Sequence, residues 1–147
     1  MSSNDFETQK KLSHRSVWHV ARWLCEVQGQ DILMFPPPKD DPDRGDIYAN
    51  DLRVEVKAIT RDFFRPEEWP FPEIFICRAD TYDAADPKPV AFFTCNPALT
   101  FAAMVKTQES REWWSKKTVT DTRPGRGYDY EVYTCPTRFI HWRNITL

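Results

Sequence analysis

Glycine is scarce in this chain, with four in 147 residues, while proline is plentiful, with twelve. Such a composition favours stiff, extended connections over adaptable ones. No apolar run is long enough to span a bilayer, which argues against a membrane protein. The opening residues, Met1-Ser2-Ser3-Asn4-Asp5, are polar and acidic and do not form a secretory signal. A cytoplasmic protein is expected, and the sequon Asn144-Ile145-Thr146 then carries no weight. There is no repeat of fixed period and no low-complexity tract beyond Pro36-Pro37-Pro38. Cys25, Cys77, Cys95 and Cys135 form no C-x-x-C pair, which argues against zinc. Each lies among apolar neighbours, so buried reduced thiols are expected. Neither a nucleophile elbow nor a Cys–His arrangement is present. Asp41-x-Asp43 looks like the start of a calcium loop, but its glycine is misplaced and the distal glutamate is missing.

The length suits one domain, residues 1–147, with one core. A net charge of −2 does not mark a nucleic-acid binder, yet the charges are unevenly spread. Asp40, Asp41, Asp43, Asp46 and Asp51 crowd one segment against Arg44 alone. Lys106, Arg111, Lys116, Lys117, Arg123 and Arg126 outweigh Glu109, Glu112 and Asp121 in another. Arg53, Lys57, Arg61 and Arg65 flank residues 46–57. An acidic pocket with basic surroundings suits a metal site that receives a phosphate backbone. The candidate nucleic-acid contacts are Arg44, Arg53, Arg61, Lys106, Lys116, Lys117, Arg123 and Arg126. The alternative is a solvated surface on which charges cluster by chance.

Apolar residues at Val17, Val20, Ala21, Leu24 and Val27 recur at helical spacing. They predict one long helix from about Asp5 to Gln28, opened by Asn4-x-x-Glu7 and stopped by Gly29. Ile32 to Phe35 reads as a short strand ended by prolines. Gly45–Ala49 and Arg53–Ile59 read as the strands of a hairpin turned by Asn50-Asp51. Thr60 to Pro72 is an aromatic, proline-rich connection. Glu73–Ala79 and Val90–Thr94 read as strands. Asn96-Pro97 reads as the start of a helix through Ala98, Phe101, Ala102 and Val105. Thr107 to Lys117 continues it or begins another. A loop at 123–127 precedes two closing strands, Tyr128–Thr134 and Arg138–Trp142. The expected fold class is α/β, a mixed sheet flanked by helices.

The hairpin carries the chemistry. Alternation along a strand puts Glu55 and Lys57 on one side and Val54, Val56 and Ala58 on the other. Asp46 starts the adjoining strand across a tight turn. Two carboxylates and a lysine on one side of a ribbon are what metal-dependent phosphodiester cleavage requires. The acids hold Mg²⁺, and the lysine stabilises charge or positions the attacking water. The alternative is a surface Glu55–Lys57 pair on a half-exposed strand. Trp113-Trp114 beside Lys116-Lys117 could stack bases and hold phosphates, but tryptophans at helix ends more often pack in a core.

Helix, short strand, then Gly-Asp-Ile-Tyr-Ala-Asn-Asp-Leu-Arg-Val-Glu-Val-Lys resembles the PD-(D/E)xK nuclease superfamily, which includes restriction endonucleases and Holliday-junction resolvases. The likeness runs from the first helix to Ile59. It implies a restriction endonuclease-like mixed sheet, with a long N-terminal helix and a hairpin that carries the acidic site. It implies a catalytic set of Asp46, Glu55 and Lys57, with Mg²⁺ (Mn²⁺ as substitute) held by Asp46, Glu55 and the Val56 carbonyl. It further implies a DNA endonuclease rather than an exonuclease, working as a homodimer or within a larger complex. The size and motif suit a phage or prophage protein. Two departures stand out. Many members carry a glutamate in the first helix where this chain has Ser16-Val17-Trp18-His19; Glu7 and Glu26 lie too near its ends, and His14 or His19 could face the site, although a surface or packing histidine is the commoner case. A helix usually follows the lysine strand, whereas this chain has Pro66, Pro70 and Pro72. A nuclease fold without catalysis, serving as a DNA-binding or assembly subunit, is the second reading. A small α/β protein with a chance motif is the third.

Overall fold

The structure is a computed structural model that describes residues 3–33, 47–122, 124–125 and 127–147. Helix α1 (Ser3–Glu26) leads into strand β1 (Ile32–Leu33) and the hairpin β2 (Ile47–Ala49) and β3 (Leu52–Ala58). Strand β4 (Glu73–Arg78) and helix α2 (Ala79–Ala84) follow, then β5 (Ala91–Cys95), β6 (Phe101–Lys106) and the short helix α3 (Thr107–Ser110). Strands β7 (Ser115–Thr120), β8 (Asp129–Pro136) and β9 (His141–Asn144) complete the order.

The strands form a mixed six-stranded sheet, ordered β1-β2-β3-β5-β6-β9, and a three-stranded sheet, ordered β4-β8-β7. The fold is thus α/β, as expected. Strand β3 runs parallel to β5, with Val54 opposite Ala91 and Lys57 opposite Thr94. The other pairs are antiparallel. Among the described residues, no helix is long and apolar enough to cross a membrane.

Two apolar layers hold the sheets. Val20, Ala21 and Trp23 of α1 bury against Val54, Val56, Phe93, Cys95, Ala102 and Met104 on one face of the large sheet. Phe92, Ala103 and Val105 leave the opposite face and bury against Ile74, Ile76, Trp114, Tyr133 and Cys135. Strands β5 and β6 are therefore buried on both faces, which is why they read as continuous apolar runs rather than alternating ones.

That double burial corrects the expected helix after Asn96-Pro97. Phe101 to Lys106 is strand β6, paired antiparallel with β5. Ala102, Met104 and Ala103, Val105 satisfy a two-residue period with both faces covered, and such runs look alike as helix or strand. Asn96 is a turn residue instead: its Oδ1 accepts from the backbone N–H groups of Thr100 (2.9 Å) and Phe101 (3.1 Å). Leu99 sits at φ 58° within that turn. The segment expected to be helical from Thr107 gives only α3 and a 3₁₀ turn at Arg111–Trp113, then becomes β7.

The N-terminal half follows the expected order of elements where it is described, but α1 already includes Asn4 and ends before Val27, which is exposed. Gly29 takes φ 69° after α1. Asn50 and Asp51 sit at φ 50° and 67°, the left-handed pair a two-residue hairpin turn needs. The Asn50 side chain also accepts from the Asp31 N–H at 3.1 Å and donates to Gln30, tying the turn to the connection between α1 and β1. Residues 34–35 of the expected first strand, and Gly45 and Asp46 of the second, lie outside the described residues. Cys95 and Cys135 are buried and Cys77 is half-buried, but Cys25 is exposed on α1, contrary to expectation.

Candidate active site

Strand β3 presents its two sides to different layers. Val54 and Val56 enter the core beneath α1. Arg53, Glu55 and Lys57 emerge on the other side, toward β4 and α2, and line a cavity of about 270 Å³. Tyr82 of α2, Phe92 and Phe93 of β5, and Phe75, Ile76 and Cys77 of β4 form much of the rest. Glu55 is the one carboxylate among the described lining residues.

Glu55 is held by Arg53, two residues earlier on the same side. The Arg53 guanidinium reaches Glu55 Oε1 at 2.8 Å through both Nε and Nη2. Its Nη1 donates to the Pro87 carbonyl at 3.2 Å. Arg53 is 5 % exposed against 26 % for Glu55, so the cation is the more deeply enclosed partner. Arg53 had been expected to reach a nucleic acid from the surface; it is an internal counter-ion. The signal was present in the sequence, since Arg53-x-Glu55 on a strand must share a face. Exchanging Arg53 for Met should remove about 2–4 kcal/mol of stability by leaving Glu55 without its counter-ion in a half-buried position. Chemical denaturation of the variant measures this, and a loss under about 0.5 kcal/mol would contradict it.

Lys57 crosses to the edge of the small sheet. Its Nζ donates to the Phe75 carbonyl at 2.8 Å and lies 3.4 Å from that of Ile76. The same ammonium sits 3.7 Å from the centre of the Phe75 ring. Successive carbonyls of a regular strand point to opposite sides. Here both face Lys57 because the pairing of β4 with β8 slips between Phe75 and Cys77; a bulge of this kind re-aims backbone groups. Burial pulls the Lys57 pKa down to about 7, against a smaller opposing pull from Cys77. Burial also pushes the Cys77 thiol up to about 12, so it is a protonated packing group. The carbonyl pair and the Phe75 ring were not foreseeable from the hairpin alone, because they arrive from a strand in a different sheet.

The remaining candidates are dispersed. Arg61 is exposed, with its guanidinium carbon 5.1 Å from the centre of the Phe71 ring. Lys106 and Lys116 are exposed, Lys116 lying 5.5 Å from the centre of the Tyr133 ring. Lys117 is ion-paired with Glu73. Asp46, Arg44, Arg123 and Arg126 lie outside the described residues. Of the tryptophan pair, Trp114 is buried and donates to Ser110 Oγ at 2.9 Å, while Trp113 is exposed and stacked on Phe139. Neither His14 nor His19 joins the cavity. His14 Nε2 accepts from Trp18 at 3.1 Å, and His19 Nε2 sits 2.6 Å from the Ile145 carbonyl. Helix α1 packs on the Val54–Val56 face, away from Glu55 and Lys57.

Glu55 and the Val56 carbonyl are hard oxygen donors, the type Mg²⁺ prefers. Among the described residues, no three His, Cys, Asp or Glu side chains gather to hold a metal. No family model matches the sequence, and no curated protein is similar to it.

Proposed function

We propose that the chain is a metal-dependent nuclease of the restriction endonuclease-like fold, hydrolysing phosphodiester bonds in DNA through Asp46, Glu55 and Lys57. One observation carries the reading: Glu55 and Lys57 leave the same side of β3 into a cavity, while the intervening Val56 side chain is buried under α1. The hairpin register supports it. Ile47 pairs with Val54, so the β2 end nearest Asp46 in the chain adjoins Glu55. The parallel pairing of β3 with β5 also agrees with a mixed sheet of this kind.

Mg²⁺ bound by Asp46, Glu55 and the Val56 carbonyl would supply an acidified water and positive charge against the phosphate. The protein does the rest. Arg53 keeps Glu55 oriented beside its own guanidinium. Lys57, fixed by the two β4 carbonyls and the Phe75 ring, places an ammonium where charge develops on the phosphate oxygens. Its low pKa leaves it able to exchange a proton near neutrality.

A second reading, a nuclease fold that binds DNA or assembles without cutting it, is favoured by a different observation. Both charged groups already have partners inside the protein, Glu55 in Arg53 and Lys57 in the β4 carbonyls. Calorimetric titration with Mn²⁺ separates the two. The wild type should bind the ion and cut DNA with Mg²⁺, and chelation with EDTA should abolish cutting. Glu55→Gln should bind Mn²⁺ at least about ten-fold more weakly, having lost a charged ligand. A folded wild type that binds no Mn²⁺ would favour the non-catalytic reading.

A further inference from the structure

A second cavity, of about 350 Å³, adjoins the first and shares Lys57 and Phe75 with it. Its other walls include Trp69, Phe71, Glu73 and Thr134. Phe71 and Phe75 are 46 % and 40 % exposed, unusually open for phenylalanines. The rings are fixed in place. Trp69 Nε1 donates to the Glu73 carbonyl at 3.3 Å. The Trp69 ring meets Phe71 edge-on at 5.7 Å and the fully buried Phe63 at 5.4 Å.

Charge surrounds these rings. Arg61 lies over Phe71 and Lys57 over Phe75, while Lys117 pairs with Glu73. Among the described walls Lys57 is the one cation and Glu73 the one carboxylate, with Arg61 and Lys117 beside them. The Lys117 hydrogen bond, opposed by burial and aided by Thr134, holds the Glu73 carboxyl below its ordinary pKa, so it is a standing acceptor.

We infer that this cavity receives an unpaired nucleobase, making single-stranded or locally opened DNA the substrate of the neighbouring Glu55–Lys57 site. The choice of ligand rests on the nuclease reading. Aromatic faces bordered by cations match a base joined to phosphates, and stacking of this kind is indifferent to sequence because every base has a π-face. A base held here would keep its strand beside Lys57, which belongs to both cavities. Glu73 accepts from Lys117 and from Thr134 Oγ1 at 3.1 Å, and its remaining lone pairs can accept from the exocyclic amino groups of a base. Bases paired within a duplex present no free face to such rings.

The test measures fluorescence anisotropy of a labelled oligothymidylate and of a blunt duplex of equal length, both in EDTA. The wild type should bind the single strand more tightly than the duplex. Phe71→Ala should weaken single-strand binding about five-fold or more and leave duplex binding unchanged, with Phe71→Tyr restoring it. Phe71 is exposed, so the variant should fold, and circular dichroism verifies that. Equal affinity for both forms, no binding of either, or an effect of Arg61→Ala without one of Phe71→Ala would overturn the inference. Because binding is read without metal, it is separate from cleavage. Single-strand binding lost in Phe71→Ala, in a protein that never cuts, would sink the nuclease reading and keep the base site. Cutting unaffected by Phe71→Ala, with no single-strand preference, would do the reverse.

Discussion

Lys57→Met is expected to slow the proposed DNA cleavage about 10²-fold or more, while making the protein more stable at neutral pH. The two effects share one cause. Lys57 carries its charge into a space that favours the neutral amine, and burial lowers its pKa to about 7. In the unfolded chain the same amine titrates near about 10.4. Between those values the unfolded state binds more protons than the folded one, so stability rises with pH across that window. The penalty is complete below about pH 7 and gone above the unfolded pKa. Its slope cannot exceed about 1.4 kcal/mol per pH unit. Lys57 keeps some exposure and has two carbonyls and a ring as partners, so the real slope is smaller. Methionine retains the unbranched stem without the charge. In denaturation midpoints, the stability advantage of Lys57→Met over the wild type should be greatest at about pH 6–7 and shrink towards about pH 10; the comparison isolates Lys57 from the buried thiols, whose raised pKa values lower stability in both proteins above about pH 8.5. Parallel curves would contradict the burial argument. Cleavage at the normal rate by Lys57→Met would remove Lys57 from the site.

Asn96→Ala should lower stability by about 3–5 kcal/mol, a large share of what a domain of this size holds. Asn96 is fully buried. Besides accepting from the Thr100 and Phe101 N–H groups, its Nδ2 donates at 3.0 Å to both the Phe63 carbonyl and Thr100 Oγ1. One side chain therefore shapes the β5–β6 turn and pins residue 63 of the proline-rich connection. Phe63, fully buried, meets the rings of Trp69, Phe101 and Trp142. Alanine would strand several polar groups at once, each worth about 1–3 kcal/mol when unsatisfied in the interior. Urea unfolding reads this, and a loss below about 1 kcal/mol would mean that the turn is held by its backbone alone.

What could be read from the sequence was what local physics determines. The β2–β3 hairpin was visible because Asn50 and Asp51 tolerate positive φ and Arg53 to Ala58 alternates. The sidedness of Glu55 and Lys57 follows from the same period. Strand β6 was not visible, because a run buried on both faces has no distinguishing period and Asn96 can cap a helix as readily as shape a turn. Helix α2 was missed for a different reason. It has six residues and no side-chain cap at its start. Its end is held by Lys88, whose Nζ donates to the Tyr82 (2.8 Å) and Asp83 (3.0 Å) carbonyls. The partners of the candidate site were the least legible. The β4 bulge that turns two carbonyls on Lys57 depends on how two sheets meet. The Arg53–Glu55 pair, by contrast, lay within the strand's own alternation.

If Asp46, Glu55 and Lys57 form one hydrolytic site, removing the two acids must remove cleavage. Supercoiled, linear, branched and single-stranded DNA are incubated with the purified protein and Mg²⁺, beside an Asp46→Ala/Glu55→Ala variant of equal circular dichroism. The wild type should cut at least one form, with single-stranded or branched DNA preferred, and the variant should cut none. Cutting by the variant at the wild-type rate, or a folded wild type that cuts nothing, would contradict that shared site.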